Sequence, residues 1–328
     1  MRSNNIIPYV IGVGSALMDI ILPESERFLE DHAVTKGGME LVGPDRAGEL
    51  LAASENRPKL VPGGSACNTT IGLGRLCGKA FFIGTRGADE LGSCLEASIA
   101  ANGVTPLLEK VATPTGRVLS VVTPDAERSM LTYLGASSEM SPGMFSADTF
   151  RGADLVHVEG YLLFNEQLMR AVLEAAKAAD VPVSLDLASF TVVDANQALV
   201  RELVRRYVTV LLSNEDEARS YTGTADEDAA LGIMSEDVQC AALKVGKRGS
   251  RVRIDGKTTV IPPAGSGDAV DTTGAGDLWA SGFLYGLING KPIEECGRIA
   301  SLCGYEVCRV KGAHIPDDRW KIIKASIR

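Results

Sequence analysis

The sequence predicts an α/β fold, a central and mostly parallel sheet between helices, with a small β element outside it. Three observations carry this. From Leu155 onward short apolar runs alternate with helical patterns, the order that builds a parallel sheet covered on both faces. Two alternating β runs, 116–123 and 128–134, flank a turn opened by Pro124-Asp125 and interrupt the strand/helix series, so this hairpin should stand apart from the main sheet. The third is the glycine-rich stretch Asp271-Thr272-Thr273-Gly274-Ala275-Gly276-Asp277, which runs without a gap into a helix with apolar residues at Leu278, Trp279, Phe283, Leu284 and Leu287.

The 328 residues suffice for one large α/β domain, taken as 1–328. Hydrophobic content of 45% with 23% charged residues is ordinary for a soluble globular protein. A net charge of -9 argues against a nucleic-acid surface, and a polyphosphate ligand would need local help from a metal ion and a few basic residues. Seven cysteines without a C-x-x-C pair give no zinc or disulfide framework and fit a reducing cytoplasm. Three scattered histidines argue against a histidine metal site or triad. No apolar run reaches the length of a membrane span. The start, from Ile6 and Ile7 to Ala16, imitates a leader peptide, but Pro8 breaks it and it reads as a first buried strand.

In chain order, that strand covers 9–14, and Asp19 follows among apolar neighbours, either a solvated turn residue or a carboxylate for substrate hydroxyls. Residues 28–32 are helical, 38–42 alternate like a half-exposed strand, and 44–55 form a helix with proline in its first turn. Pro62-Gly63-Gly64 then opens a helix bearing Asn68. The glycines could let a polyol lie against backbone and Asn68 offers donor and acceptor, or the stretch is simply a tight strand-to-helix turn. A strand at 80–84 and a helix at 89–102 precede the hairpin, where Arg128 is either a surface charge or a hinged cation for a phosphate.

Beyond it, strands at 155–160, 183–187 and 208–212 alternate with helices at 165–179 and 196–207. The last of these strands ends in Ser213-Asn214-Glu215-Asp216-Glu217. This is either an acid-rich first helical turn or a place where Asn214 and Glu217 bind a hydrated magnesium ion. Strands at 241–245, 251–254 and 258–261 lead to the glycine-rich stretch, and a helix at 293–307 closes the pattern.

In that stretch the helix should begin near Gly276 or Asp277, leaving its first amides without partners. Glycines let an anion approach them and the helix dipole adds positive charge. Asp277 is then an acid at an anion site. It is either a helix N-cap or a base that takes the proton of an incoming hydroxyl while the amides hold the transferring group. Gly256-Lys257-Thr258 fails as a P-loop because position 251 is Arg. Gly12-x-Gly14 and Gly72-x-Gly74 fail as dinucleotide fingerprints at Leu17 and Cys77.

Together these stretches resemble the ribokinase (PfkB-type) family of carbohydrate and nucleoside kinases. The resemblance rests on Gly63-Gly64-x-x-x-Asn68 followed by Gly84 and Gly92, on Asn214-x-x-Glu217, and on the heptapeptide ending in Asp277. Within the family the layout is most similar to adenosine kinases, through Gly14-x-Ala16-x-x-Asp19, Pro124-Asp125-x-x-Arg128-Ser129 and Lys311-Gly312-Ala313-x-x-Pro316; Thr273 departs toward the sugar kinases.

The resemblance implies a ribokinase-like fold with lid strands at about 19–22, 37–42 and 116–134, and transfer of the γ-phosphate of ATP to a primary hydroxymethyl group. It makes Asp277 the base, places Gly274, Ala275, Gly276 and Arg128 around the transferring group, and assigns Asp19, Gly63, Gly64 and Asn68 to the acceptor. Asn214, Lys244, Gly246, Gly249, Thr272 and His314 are implied for the nucleotide, Glu217 for Mg2+ through water, and Asp271 for a K+ ion. It also implies a monomer, or a homodimer through the lid. The acceptor stays open between adenosine and a sugar such as ribose, fructose or 2-keto-3-deoxygluconate, and a nucleoside-binding protein without turnover is the reading from another class.

Overall fold

The computed structural model describes residues 8–125, 127–265 and 269–327. Ile6 and Ile7 of the first strand and Ala126 of the hairpin turn lie outside them. The larger sheet contains β1 (Val10–Val13), β5 (Ala80–Gly87), β6 (Val104–Val111), β9 (Leu155–Glu159), β10 (Val183–Asp186), β11 (Val210–Asn214), β12 (Cys240–Lys244), β13 (Ser250–Ile254) and β14 (Lys257–Ile261). Their order is β14-β13-β12-β11-β10-β9-β1-β5-β6. Pairing is parallel from β6 to β12 and antiparallel only for β13 and β14. The smaller sheet has the order β3-β8-β7-β2-β4, from β2 (Leu17–Pro23), β3 (Met39–Leu41), β4 (Lys59–Gly63), β7 (Gly116–Val122) and β8 (Arg128–Tyr133). The expected hairpin is therefore real and separate, and the small sheet has a fifth strand, β4.

Both unexpected strands, β4 and β6, contain a proline and run along sheet edges, where a missing N–H breaks no ladder. The central strands need no such allowance. Val156, Val158, Leu185 and Leu211 sit in one core with the faces of helices Glu166–Ala178 and Gln197–Tyr207. Val10, Val210, Leu212 and Val252 pack on the other face against Trp279, Phe283 and Leu284 of helix Ala275–Ile288. Each such buried aliphatic side chain contributes roughly 1.5–3 kcal/mol. A third core, with Met18, Ile20, Leu119 and Leu131, attaches the small sheet to Phe82, Leu95 and Ile99.

The chain leaves β1 to build one half of the sheet and returns through β9 to build the other, so β1 and β9 meet where the strand order reverses. Crevices beyond the carboxyl ends of strands at such a point take ligands. Ser15, Glu159, Asp186, Asn214 and Lys244, at or just past the ends of β1, β9, β10, β11 and β12, all line one cavity of about 1650 Å³ beneath the small sheet.

Candidate active site

Helix Ala275–Ile288 starts slightly earlier than the sequence pattern predicts, with Gly274 as its N-cap at φ 71°. A Cβ there would lie 2.5 Å from the Ala313 side chain, so only glycine makes this turn. The Ala275 amide already donates to Thr272 O at 3.1 Å, and that of Leu278 to Gly274 O at 2.8 Å. Ala275 is therefore not a free donor as expected. The amides open to an anion are those of Gly276 and Asp277, both lining the cavity.

Asp277 does not cap its own helix. Its carboxylate reaches across to helix Ser65–Cys77, where Oδ1 accepts from Ser65 Oγ and Oδ2 from Asn68 Nδ2, each at 2.9 Å. The two helices approach closely because position 72 is glycine, where a Cβ would fall 2.2 Å from Ser281 Oγ. Ser281 Oγ in turn lies 2.9 Å from the carbonyls of both Thr69 and Asp277. The heptapeptide and the Gly64 turn, far apart in sequence, are thus one site. Burial pushes the Asp277 carboxyl up to about 6, with Asn68 and Ser65 opposing the rise and Asp186 adding to it.

The Gly64 turn is itself pinned. Gly64 adopts φ 97°, and a Cβ there would collide with Ser15 O at 2.2 Å. Glu159, fully buried at the end of β9, accepts from the amides of Ser15 and Ala66, both at 2.9 Å, and so ties the end of β1 to the first turn of the helix. Burial raises its pKa against those two hydrogen bonds. Gly63 does not face the cavity as the polyol contact expected; its missing Cβ makes room for Asp19 Oδ1, which would otherwise be 2.3 Å away.

Asp19 is no solvated turn residue: it lies within β2, 7% exposed and on the cavity wall. Burial lifts it to about 7, Arg128 works against the rise, and Asp277 and Asp271 add to it. Arg128 is no free surface charge. It lines the cavity, donates to Ser120 Oγ at 2.9 Å and stands 3.8 Å from Asp271 Oδ1. Asp271 accepts from Thr273 N and Oγ1 and from Gly312 N. These bonds and Arg128 outweigh its burial and lower its pKa. A monovalent cation would have to share this carboxylate with a guanidinium.

On the other side, Asn214 and Glu217 sit in the acid-rich first helical turn that was one of the two readings, and there they form a capping box. The Asn214 amide and Nδ2 donate to the two Glu217 carboxylate oxygens, and Glu217 N donates to Asn214 Oδ1. Glu217 nonetheless faces the cavity, and burial, reinforced by Asp186, raises it to about 7. With both oxygens engaged and no cluster of three metal-ligating side chains among the described residues, this set suits a hydrated ion held through water rather than a protein cage. Lys244, Gly246, Gly249 and Thr272 line the same end. His314 does not, and the charges that reach it are those of Lys59, Arg75 and Asp317.

Three site residues were not singled out from the sequence: Ser65, Glu159 and Asp186. An acid among apolar neighbours, the signal that marked Asp19, also marks Glu159 and Asp186. Ser65 carried no signal beyond its place in a helical first turn.

The sequence matches the description "pfkB family carbohydrate kinase" over residues 9–320. A probable sugar kinase from Rhizobium etli CFN 42 is similar in structure, with a TM-score of 0.89 and 34% identity, covering 98% of both chains. The adenosine kinase of Sinorhizobium meliloti gives a TM-score of 0.89 at 31% identity, covering 98% of this chain and 100% of its own. The ribokinase of Arabidopsis thaliana is 27% identical, over 98% of this chain and 82% of its own.

Proposed function

The chain belongs to the pfkB family of carbohydrate kinases, phosphotransferases with hydroxyl acceptors, and from that premise we propose that its acceptor is a nucleoside, adenosine best of all, phosphorylated on its primary hydroxymethyl group by ATP. The observation that carries this is the wall of the cavity under the lid. Leu17, Met39, Leu41, Met130, Leu134 and Phe164 line it beside Asp19 and Asn68. Phe164 is 62% exposed and Leu41 57%, apolar surface left uncovered at the mouth of a polar site. A free pentose would cover little of it; a purine base attached to the sugar would cover much more. The similarity to an adenosine kinase at 31% identity supports the same reading. A sugar acceptor is the second reading, favoured by Thr273 and by the sugar-kinase relatives. A binding protein without turnover has no use for a carboxylate raised to about 6 among bare amides.

In this mechanism Asp19 and Asn68, with the Gly64 backbone, hold the sugar hydroxyls. Asp277 accepts the proton of the attacking hydroxymethyl group, oriented by Ser65 and Asn68. The amides of Gly276 and Asp277 meet the negative charge on the transferring group, with Lys244 beside them and Arg128 above on the lid. Glu217 would hold Mg2+ through water, and that ion, when bound, neutralises charge on the phosphate chain. Phosphoryl transfer gains mostly from such positioning and electrostatics.

The test is an acceptor panel of adenosine, inosine, ribose, fructose and 2-keto-3-deoxygluconate, read as ADP release. Adenosine should give the highest kcat/KM. F164A should raise the adenosine KM about tenfold, the scale of one aromatic contact of ~1.4 kcal/mol, and leave any ribose turnover unchanged. A sugar outpacing adenosine, or an F164A variant indifferent to the base, refutes the nucleoside assignment.

A further inference from the structure

Asp186, at the carboxyl end of β10, is 3% exposed, and the protein itself engages both of its oxygens. Oδ2 accepts from Lys244 Nζ at 2.6 Å and Oδ1 from the Ala188 amide at 3.1 Å. Ala188 holds that amide in place at φ 62°, a conformation disfavoured for alanine, and it too lines the cavity. From the end of β12 the Lys244 ammonium lies against the anion-binding turn: a Cβ built on Gly276 would be 3.2 Å from its nitrogen. The carboxylates of Glu217 and Asp277 also bear on this ammonium. Burial works against its charge, but Asp186, Glu217 and Asp277 outweigh that and raise its pKa. The field of Asp186 further reaches Glu159, Tyr161 and His157.

We propose that Asp186 is the positioning residue for Lys244, holding its ammonium against the Gly276 turn so that a fixed positive charge stands beside the free amides where the phosphate chain of ATP comes to rest. This rests on the kinase reading and adds to it a residue that acts through Lys244, since its two oxygens are already engaged by Lys244 and Ala188. Without Asp186, Lys244 is free to swing onto Asp277 or Glu217, which removes it from the anion site and ties up the base. A buried ammonium with one hydrogen-bonded partner has a defined place; one shared between two carboxylates does not.

The experiment compares wild type, D186N, D186E, K244M and the double variant D186N/K244M. Mg-ATP binding is measured by calorimetry without acceptor, and kcat with ATP and adenosine. D186N should weaken ATP binding about tenfold and lower kcat about 10- to 100-fold, with the adenosine KM unchanged within about twofold. D186E, which restores the charge, should recover most of the ATP affinity, and in the K244M background D186N should cost nothing further. ATP affinity in D186N equal to wild type overturns the proposal, as does an equal loss in D186N and D186E, or the same loss with and without Lys244. If K244M does not fold with Asp186 unpaired, the comparison of D186N with D186E decides. A wild type that binds Mg-ATP but phosphorylates no nucleoside sinks the acceptor reading and leaves this one standing.

Discussion

At pH 5 the Asp277 carboxyl, pushed up to about 6 by burial, holds its own proton and cannot take another. As the pH rises through 6 it ionises, so kcat should climb about tenfold per unit below that value and level above pH 7. A rate flat from pH 4.5 to 7.5 contradicts the role of base. D277N keeps the volume of the side chain and one acceptor for Ser65 or Asn68. It should lower kcat by about 10²–10⁴, or roughly 3–5 kcal/mol of barrier, with a melting temperature near that of the wild type. Asp277 was legible because acid and glycines adjoin in sequence. Its partners Ser65 and Asn68 lie some two hundred positions away, and no local pattern states that they meet. Glu217 was half legible: its place in an acid-rich first helical turn was read from the sequence, while its exposure to the cavity depends on β11 ending where it does.

Between residue and molecule stands the contact of helices Ser65–Cys77 and Ala275–Ile288, which sets where Asp277 points. Gly72 and Ser281 meet there, and a Cβ on position 72 would fall 2.2 Å from Ser281 Oγ. G72V should separate the helices and cost about 1–3 kcal/mol of stability, the usual penalty of overpacking, with a larger fall in kcat than the stability loss explains. Denaturant melts beside steady-state rates measure both, and unchanged kcat in a destabilised but folded G72V shows that the crossing does not aim the base. The small sheet contributes Arg128. R128A should reduce kcat/KM about 10²- to 10³-fold through kcat, the range of one donor lost at a developing anion. The hairpin that carries it was readable from alternation and a Pro-Asp turn. Strand β4 was not, since Pro62 and two glycines hide an edge strand inside what looks like a loop.

Across the whole molecule, the reversal of strand order at β1 and β9 gathers five strand ends under the small sheet, and that concentrates the carboxylates of Glu159, Asp186, Glu217 and Asp277 in a chain already carrying -9. On the proposed mechanism Lys244 and Arg128, among the cations lining that cavity, would let a polyphosphate enter such a site, as the overall charge requires. Mg-ATP alone should therefore stabilise the fold, by roughly 2.7 kcal/mol at a hundred times its Kd, visible as a raised melting temperature. The alternating pattern after Leu155 gave away the sheet, but which strands adjoin, and so which acids share a cavity, is a property of the closed topology alone. The most direct test follows the phosphorus: ATP and adenosine with wild type and with D277N, the product examined by phosphorus NMR. Wild type should form ADP and a phosphate monoester on the 5′ oxygen while D277N is nearly silent. No phosphate ester from any hydroxymethyl acceptor, or equal rates from the two proteins, would contradict the account.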